Sequence, residues 1–210
     1  MKKTFVLVVL FILPLVAYLF FASGVNNFGK LPILTSNLQE LSDFKGNVKL
    51  RDKITILGFL GNDIEKRKGN AFNLNQKIYK RFGKFKDLQL VMIASEGTED
   101  ETAALKKELG EFSDVTKWHF AFGTHTEIAS FFDSLKTGIQ LEEDMGSPYV
   151  FIIDKDLSLR GRNDDEDEGV KYGFNTTSVA ELNNKMEDDV KIILAEYRLA
   201  LKKNNADRSE

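Results

Sequence analysis

Apolar residues in this chain fall into short unbroken runs separated by stretches with helical spacing, and that alternation predicts the architecture. Lys53-Ile-Thr-Ile-Leu-Gly-Phe-Leu60 has strand length, with charge before it and Gly61-Asn62-Asp63 after it, and reads as a buried strand. Leu88 to Ala94, Trp118 to Phe122 and Tyr149 to Ile153 read the same way. The last turns at Asp154-Lys155-Asp156 into Leu157 to Arg160 as a hairpin. Residues 71–85 place Phe72, Ile78, Tyr79, Phe82 and Phe85 at helical spacing. Thr98-x-x-Glu101, Thr124-x-x-Glu127 and Ser178-x-x-Glu181 are capping-box signatures, in which hydroxyl and carboxylate each accept from the other residue's backbone N–H. Each precedes an apolar periodic stretch, predicting helices to about Phe112, through Leu135 and to about Lys203. Strands alternating with helices imply parallel pairing with helices on both faces, and the final hairpin and helix add antiparallel strands.

The N-terminus follows a different pattern. Lys2 and Lys3 precede an uncharged run from Thr4 to Ala22, just long enough to span a bilayer core. Pro14 would kink such a helix but is tolerated in a membrane. The lysines predict an N-in, C-out orientation, with the rest of the chain on the extracytoplasmic side. A cleaved signal peptide is the other reading, with Ala22-Ser23-Gly24 as a passable cleavage site. The length of the run and its aromatic C-terminal end favour a retained anchor. The expected organisation is an anchor over 1–24, a linker over 25–36, one domain over 37–203 and a polar tail over 204–210.

Charge and composition remove several functions. The chain carries 29 Lys and Arg against 32 Asp and Glu, a net charge of −3. With Lys2 and Lys3 assigned to the anchor, the remainder stands at −5, which argues against a nucleic-acid partner. There is no cysteine, and so no disulfide, thiol nucleophile, thiolate metal site or lipidated N-terminal Cys. No phosphate loop, dinucleotide fingerprint or nucleophile elbow is present.

Several segments, in order, resemble the Sco/SenC family of copper chaperones: Leu31-Pro-Ile-Leu-Thr35, Gly58-Phe-Leu60, Val91 to Asp100, Trp118-His-Phe-x-Phe with Gly123, and Ser147-Pro-Tyr-Val-Phe-Ile-Ile-Asp154. The resemblance covers residues 31 to about 200 and implies a thioredoxin-like α/β fold behind one N-terminal transmembrane helix. It also implies copper ligands, a Cys-x-x-x-Cys pair after the first core strand and a distant His, suited to a soft metal. Counting from the strand places the pair at Asp63 and Arg67; counting back from the helix places it at Ile64 and Lys68. The His position falls at Gly146, or at Met145 with a one-residue shift. No register supplies a ligand set, and an Arg or Lys there repels a cation. The implied copper chemistry therefore does not carry over.

The remaining candidates have ordinary readings. His119 and His125 lack common ligand spacing, although with Met145 they are a conceivable replacement site. Asp164-Asp-Glu-Asp-Glu168 reads as a solvated acidic loop rather than a calcium loop. Pro148 precedes a core strand, and the resemblance raises a cis bond there against a plain turn restraint. Trp118 reads as core. The expectation is an extracytoplasmic module with no catalytic residue, cofactor or metal. Its candidate interface is the vestigial end: Asp63, Arg67, Gly146 and Pro148, with the loop Gly61 to Asn70. The resemblance points to a membrane-complex partner, cytochrome oxidase or another respiratory subunit. A general envelope scaffold and a thiol-independent enzyme are the alternatives.

Overall fold

The computed structural model describes residues 9–16 and 29–206. Residues 9–16 form helix α1. The rest of the expected membrane span, and the question of its cleavage, lie outside the described residues. Among those described, no helix is long and apolar enough to cross a membrane.

The strands are β1 (Ile33–Thr35), β2 (Ile54–Gly61), β3 (Leu88–Ser95), β4 (Trp118–Gly123), β5 (Gly146–Ile153), β6 (Leu159–Arg160), β7 (Arg162–Asp165), β8 (Gly169–Lys171) and β9 (Phe174–Asn175). Helix α2 joins Ile64–Leu74, a π-helical turn Asn75–Tyr79 and Lys80–Phe82. Helices α3 (Glu99–Gly110) and α4 (His125–Ser134) follow, and α5 joins Val179–Glu181, a second π turn Leu182–Met186 and Glu187–Ala206.

The main sheet has the order β1-β6-β5-β2-β3-β4, with β9 also paired to β5. β2, β3 and β4 are parallel, whereas β5 runs antiparallel to β2 and forms the hairpin with β6. Every residue of β2 and β3 is buried, as expected of central strands covered on both faces. On one face Ile54, Ile56, Leu90 and Met92 pack beneath Ile78 of α2, Leu105 of α3 and Ile193 of α5. On the other, Leu57, Phe59, Val91 and Ile93 meet Ile128, Phe131 and Phe132 of α4. Phe59, Phe132 and Phe151 form mutual edge contacts there, with centroids 4.9–6.1 Å apart. Trp118 is fully buried in the first layer, edge-on to Tyr79.

Several expectations need correction. The segment read as linker contains β1, because Arg160 donates to the Leu31 carbonyl and Ile33 pairs with Arg160 across β6. The segment read as a loop from Gly61 to Asn70 turns helical at Ile64, and its inward positions Ile64, Arg67, Ala71 and Leu74 keep helical spacing. Charge at Arg67 hid that periodicity. The acidic stretch 164–168 belongs to the β7–β8 hairpin, in which buried Asp165 is paired by Lys185 at 2.7 Å. α5 continues to Ala206, into the expected polar tail.

Candidate functional site

The site is built where β2 ends. Gly61 has φ +69°, and a Cβ there would lie 2.1 Å from the Asp144 carbonyl, so the strand can turn this tightly only at glycine. Asn62 N–H donates to the same carbonyl at 2.8 Å. Asp63 then caps α2, its Oδ1 accepting from Lys66 N–H at 3.0 Å. One turn later Arg67 points inward and is 3% exposed. Its guanidinium donates to Asp144 Oδ1 at 3.0 Å and stands 3.0 Å from Glu142 Oε2. Lys66 completes the cluster, 2.9 Å from Asp144 and 2.7 Å from Glu142.

The turn leading into β5 is folded around Arg67. Asp144 Oδ1 also accepts from Gly146 N–H, and the Glu142 and Met145 backbones close the loop at 2.9 Å each. Met145 adopts the left-handed conformation with φ +60°. A Cβ on Gly146 would sit 2.7 Å from Arg67 Nε and 2.9 Å from the Leu60 carbonyl. Arg67 thus occupies the space a side chain at 146 would need. Its Nε is buried without a partner. Beside it a cavity of about 20 Å³, lined by Arg67, Asn70, Met92, Ser147 and Thr176, has room for one water molecule.

Electrostatics keep the cluster ionised. The Lys66 hydrogen bond is the main cause holding Glu142 below the usual carboxylate range. Burial pushes Asp144 upward, but the Lys66 bond, the Gly146 N–H and the Arg67 charge outweigh it, and Asp144 also lies low. Lys66 is raised by the hydrogen bonds to Glu142 and Asp144.

Of the four vestigial positions, the fold brings Arg67 and Gly146 into contact and sets Asp63 one helical turn from Arg67. Pro148 lies further along β5. Its carbonyl accepts from Thr176 N–H and Oγ1, and its peptide bond is trans, which corrects the cis alternative. In the other register Lys68 turns toward Glu108 of α3, Ile64 is buried, and Met145 packs on the core. Asp144 and Glu142 were not singled out from the sequence; the turn around Gly146 was the only signal, and it does not reveal that carboxylates on that turn neutralise Arg67. A cleft of about 640 Å³ opens alongside, between the start of α2 and the length of α3, with Asp63, Glu65, Lys68, Glu101 and Glu108 on its walls.

The histidines lie elsewhere. His119 is half-buried on the edge strand β4 in a groove with Glu99 and Lys106, and burial with nearby lysine charge lowers it. His125 is exposed at the start of α4. Among the described residues no three His, Cys, Asp or Glu side chains are grouped to hold a metal ion.

No family model matches the chain, and no curated protein does. Solved structures do. The chain is similar to BsSco, a member of the Sco family of cytochrome c oxidase assembly proteins, at 16% identity and a TM-score of 0.51, over 77% of this chain and 95% of that one. It is similar to copper-bound ScoI from Arabidopsis thaliana at 19% identity and a TM-score of 0.42, over 68% and 86% of the two chains. A Sco/SenC family lipoprotein from Bacillus anthracis matches at 15% identity and a TM-score of 0.46, over 81% and 99%. The likeness to BsSco shows the fold of this chain to be a mixed α/β, thioredoxin-like one.

Proposed function

We propose that this chain is a membrane-anchored, extracytoplasmic binding module of thioredoxin-like fold that works without thiol or copper chemistry, as an accessory to cytochrome oxidase or another respiratory complex. One observation carries the reading. Where the resemblance places two thiolates and an imidazole, the fold sets a buried guanidinium against Asp144 and Glu142. The guanidinium puts a positive charge where the resemblance places a metal ligand, and it leaves Gly146 no room for a ligating side chain. What persists is a rigid, charged end of the sheet, and the carboxyl ends of strands in open α/β sheets are where partners and ligands tend to meet the fold. Mixed charge there favours specificity over affinity. The respiratory link rests on the fold shared with BsSco and on the sequence resemblance. The anchor rests on the apolar run after Lys2 and Lys3.

The 640 Å³ cleft keeps a thiol-independent enzyme open as the second reading. It is the weaker one, because Asp63 is engaged as a helix cap and Glu108 is paired with Lys68.

The test uses the full chain in its native membrane. Photo-crosslinkers at Asn62 and Glu143, both exposed at this end, should capture a respiratory subunit, while one at Asp188 on α5 should not. Capture of a non-respiratory membrane protein would replace the respiratory assignment with a general envelope scaffold. Capture only from Asp188 would remove this end as the interface. External protease on spheroplasts should digest the domain, and full protection would overturn the orientation.

A further inference from the structure

The cleft beside the Arg67 end continues as a groove along two helices. Ile64, Glu65 and Lys68 of α2 face Glu101, Leu105 and Glu108 of α3, so both walls repeat at helical spacing. One turn further, Phe72 and Phe112 extend it, their rings edge to face with centroids 5.7 Å apart. Phe112 lies just beyond α3 and is 56% exposed. Ile64 and Leu105 are buried in the floor, and Ala104 is exposed beside them. The groove therefore joins an apolar floor to an open aromatic end, the kind of concave apolar strip that a partner covers.

Charge on the walls decides what can lie there. Asp63, Glu65, Glu101 and Glu108 line the groove with one cation, Lys68, which stands 2.7 Å from Glu108 and 3.6 Å from Glu65. The other cations around it are engaged: Lys66 and Arg67 by Glu142 and Asp144, and Lys45 by Glu96. Asp63, Glu99, Asp100, Glu101 and Glu143 are exposed, and among the described residues none of them makes an ion pair. Lys107 is exposed on α3 but lies outside the lining, four residues before Glu111. The surplus at this end is negative, and the groove runs through it.

We infer that this groove seats a basic segment of the partner protein, with a Lys or Arg between Glu65 and Glu101 and an apolar side chain on Phe112. The inference rests on the binding-module reading proposed above and names the chemistry of the partner at that end of the sheet. Apolar contact at the aromatic end supplies affinity, and the carboxylates steer and orient the segment. An acidic segment is repelled by the same walls. The helix sets the distance between the two subsites. Glu65 and Phe72 are seven residues apart on α2, a rise of about 11 Å along the axis. A partner helix matches that distance with residues two turns apart, and an extended strand with residues three apart. The Lys68–Glu108 pair joins the two walls between those subsites.

The test places a photo-crosslinker at Ala104 in the full chain, in its native membrane, and sequences the captured peptide. That peptide is expected to carry Lys and Arg in excess of Asp and Glu, with an apolar residue at the spacing just given from one of the cations. Capture should fall several-fold at high salt by screening. Glu65→Lys with Glu101→Lys should abolish it, and Phe112→Ser should weaken it. Glu65→Gln with Glu101→Gln, which adds no repulsion, should give an intermediate loss. Asp188→Lys on α5 reverses a carboxylate away from the groove and should leave capture unchanged. Capture at Ala104 that ignores salt and the Glu65 and Glu101 variants overturns the inference, as does equal loss in Asp188→Lys. An adduct with an acidic peptide or with lipid overturns it too. If a crosslinker at Glu143 captures a partner and Ala104 does not, the groove is overturned while this end of the sheet stands as the interface. If neither captures, the reading proposed above fails and the inference goes with it.

Discussion

Arg67 is a cation held in the protein interior by carboxylates that remain partly in contact with water. Its side chain is 4% exposed, against 12% for Asp144 and 40% for Glu142. Removing one partner of such a pair strands a buried charge, which costs more than the pair itself contributes. Asp144→Asn is therefore expected to lower the unfolding free energy by about 2–3 kcal/mol in urea titrations, the partial exposure of the acids keeping the loss below that of a fully buried pair. Arg67→Lys should not restore the loss, because one ammonium cannot reproduce the planar fork. The pH dependence has a definite sign. Asp144 and Glu142 are held below their ordinary range, so their contribution is complete above the unfolded value and is lost as pH falls through the folded one. The gap between wild type and Asp144→Asn should be full above about pH 5 and shrink toward about pH 3. A gap that stays constant through that range would show that the pair is not what the substitution breaks. Gly146→Ala should also destabilise, by driving a methyl group into Arg67, and should cost less in an Arg67→Ala background. Arg67 and Gly146 were both legible as positions in the sequence, but their contact was not, since it joins residues far apart in the chain.

At the scale of elements, the capping boxes show how far local pattern reaches. Thr124 and Glu127 form the complete reciprocal box at the start of α4. Thr98 does not: its hydroxyl donates to the Ser95 carbonyl instead. Ser178 accepts from Glu181 N–H, but the Glu181 carboxylate has been drawn away to Asn175 N–H and to Lys171, 2.8 Å from its Nζ. Lys171 is fully buried; burial would lower it, yet Glu168 and Glu181 outweigh that and raise it. The three signatures, alike in sequence, therefore predict different responses in thermal or urea unfolding. Glu101→Ala should be neutral within about 0.5 kcal/mol. Thr124→Ala should cost about 1 kcal/mol as a lost cap. Glu181→Ala should cost about 3 kcal/mol, because it leaves Lys171 with the exposed Glu168 alone. Equal losses at all three would mean that capping, and not the buried lysine, sets their energetics. Strands and most helix starts were legible because period and caps are local. β1 and the β7–β8 hairpin were not, because partners elsewhere hold them: Arg160 for the former, Lys185 and Asp189 for the latter. The π turns in α2 and α5 left no signal that periodicity could register, although Asn75, buried in the first and hydrogen-bonded by Ser113, marks one of them.

At the scale of the whole molecule, the fold bears on an ambiguity that counting along the chain left open. The resemblance implies a ligand pair at Asp63 and Arg67 or at Ile64 and Lys68, and a third ligand at Gly146 or Met145. The turn before β5 touches position 67 and not 68: Arg67 abuts Gly146, while Lys68 reaches across to Glu108 on α3. Substituting Arg67 removes the guanidinium atoms that crowd position 146, leaving the Leu60 carbonyl as the remaining close neighbour. Positions 63 and 67 are four apart, as 64 and 68 are, so the contact of 67 with 146, and not the spacing, favours the first pair. Two thiolates and an imidazole so placed would form a soft-metal site. The triple variant Asp63→Cys, Arg67→Cys, Gly146→His is therefore expected to hold Cu(I) near one equivalent against a competing chelator, and the variant Ile64→Cys, Lys68→Cys, Met145→His to release it. Retention by the second variant alone would move the implied register by one residue. Failure of both would mean that the likeness at this end of the sheet stops at the backbone, and that the charged pair around Arg67 has remade the site rather than merely filled it.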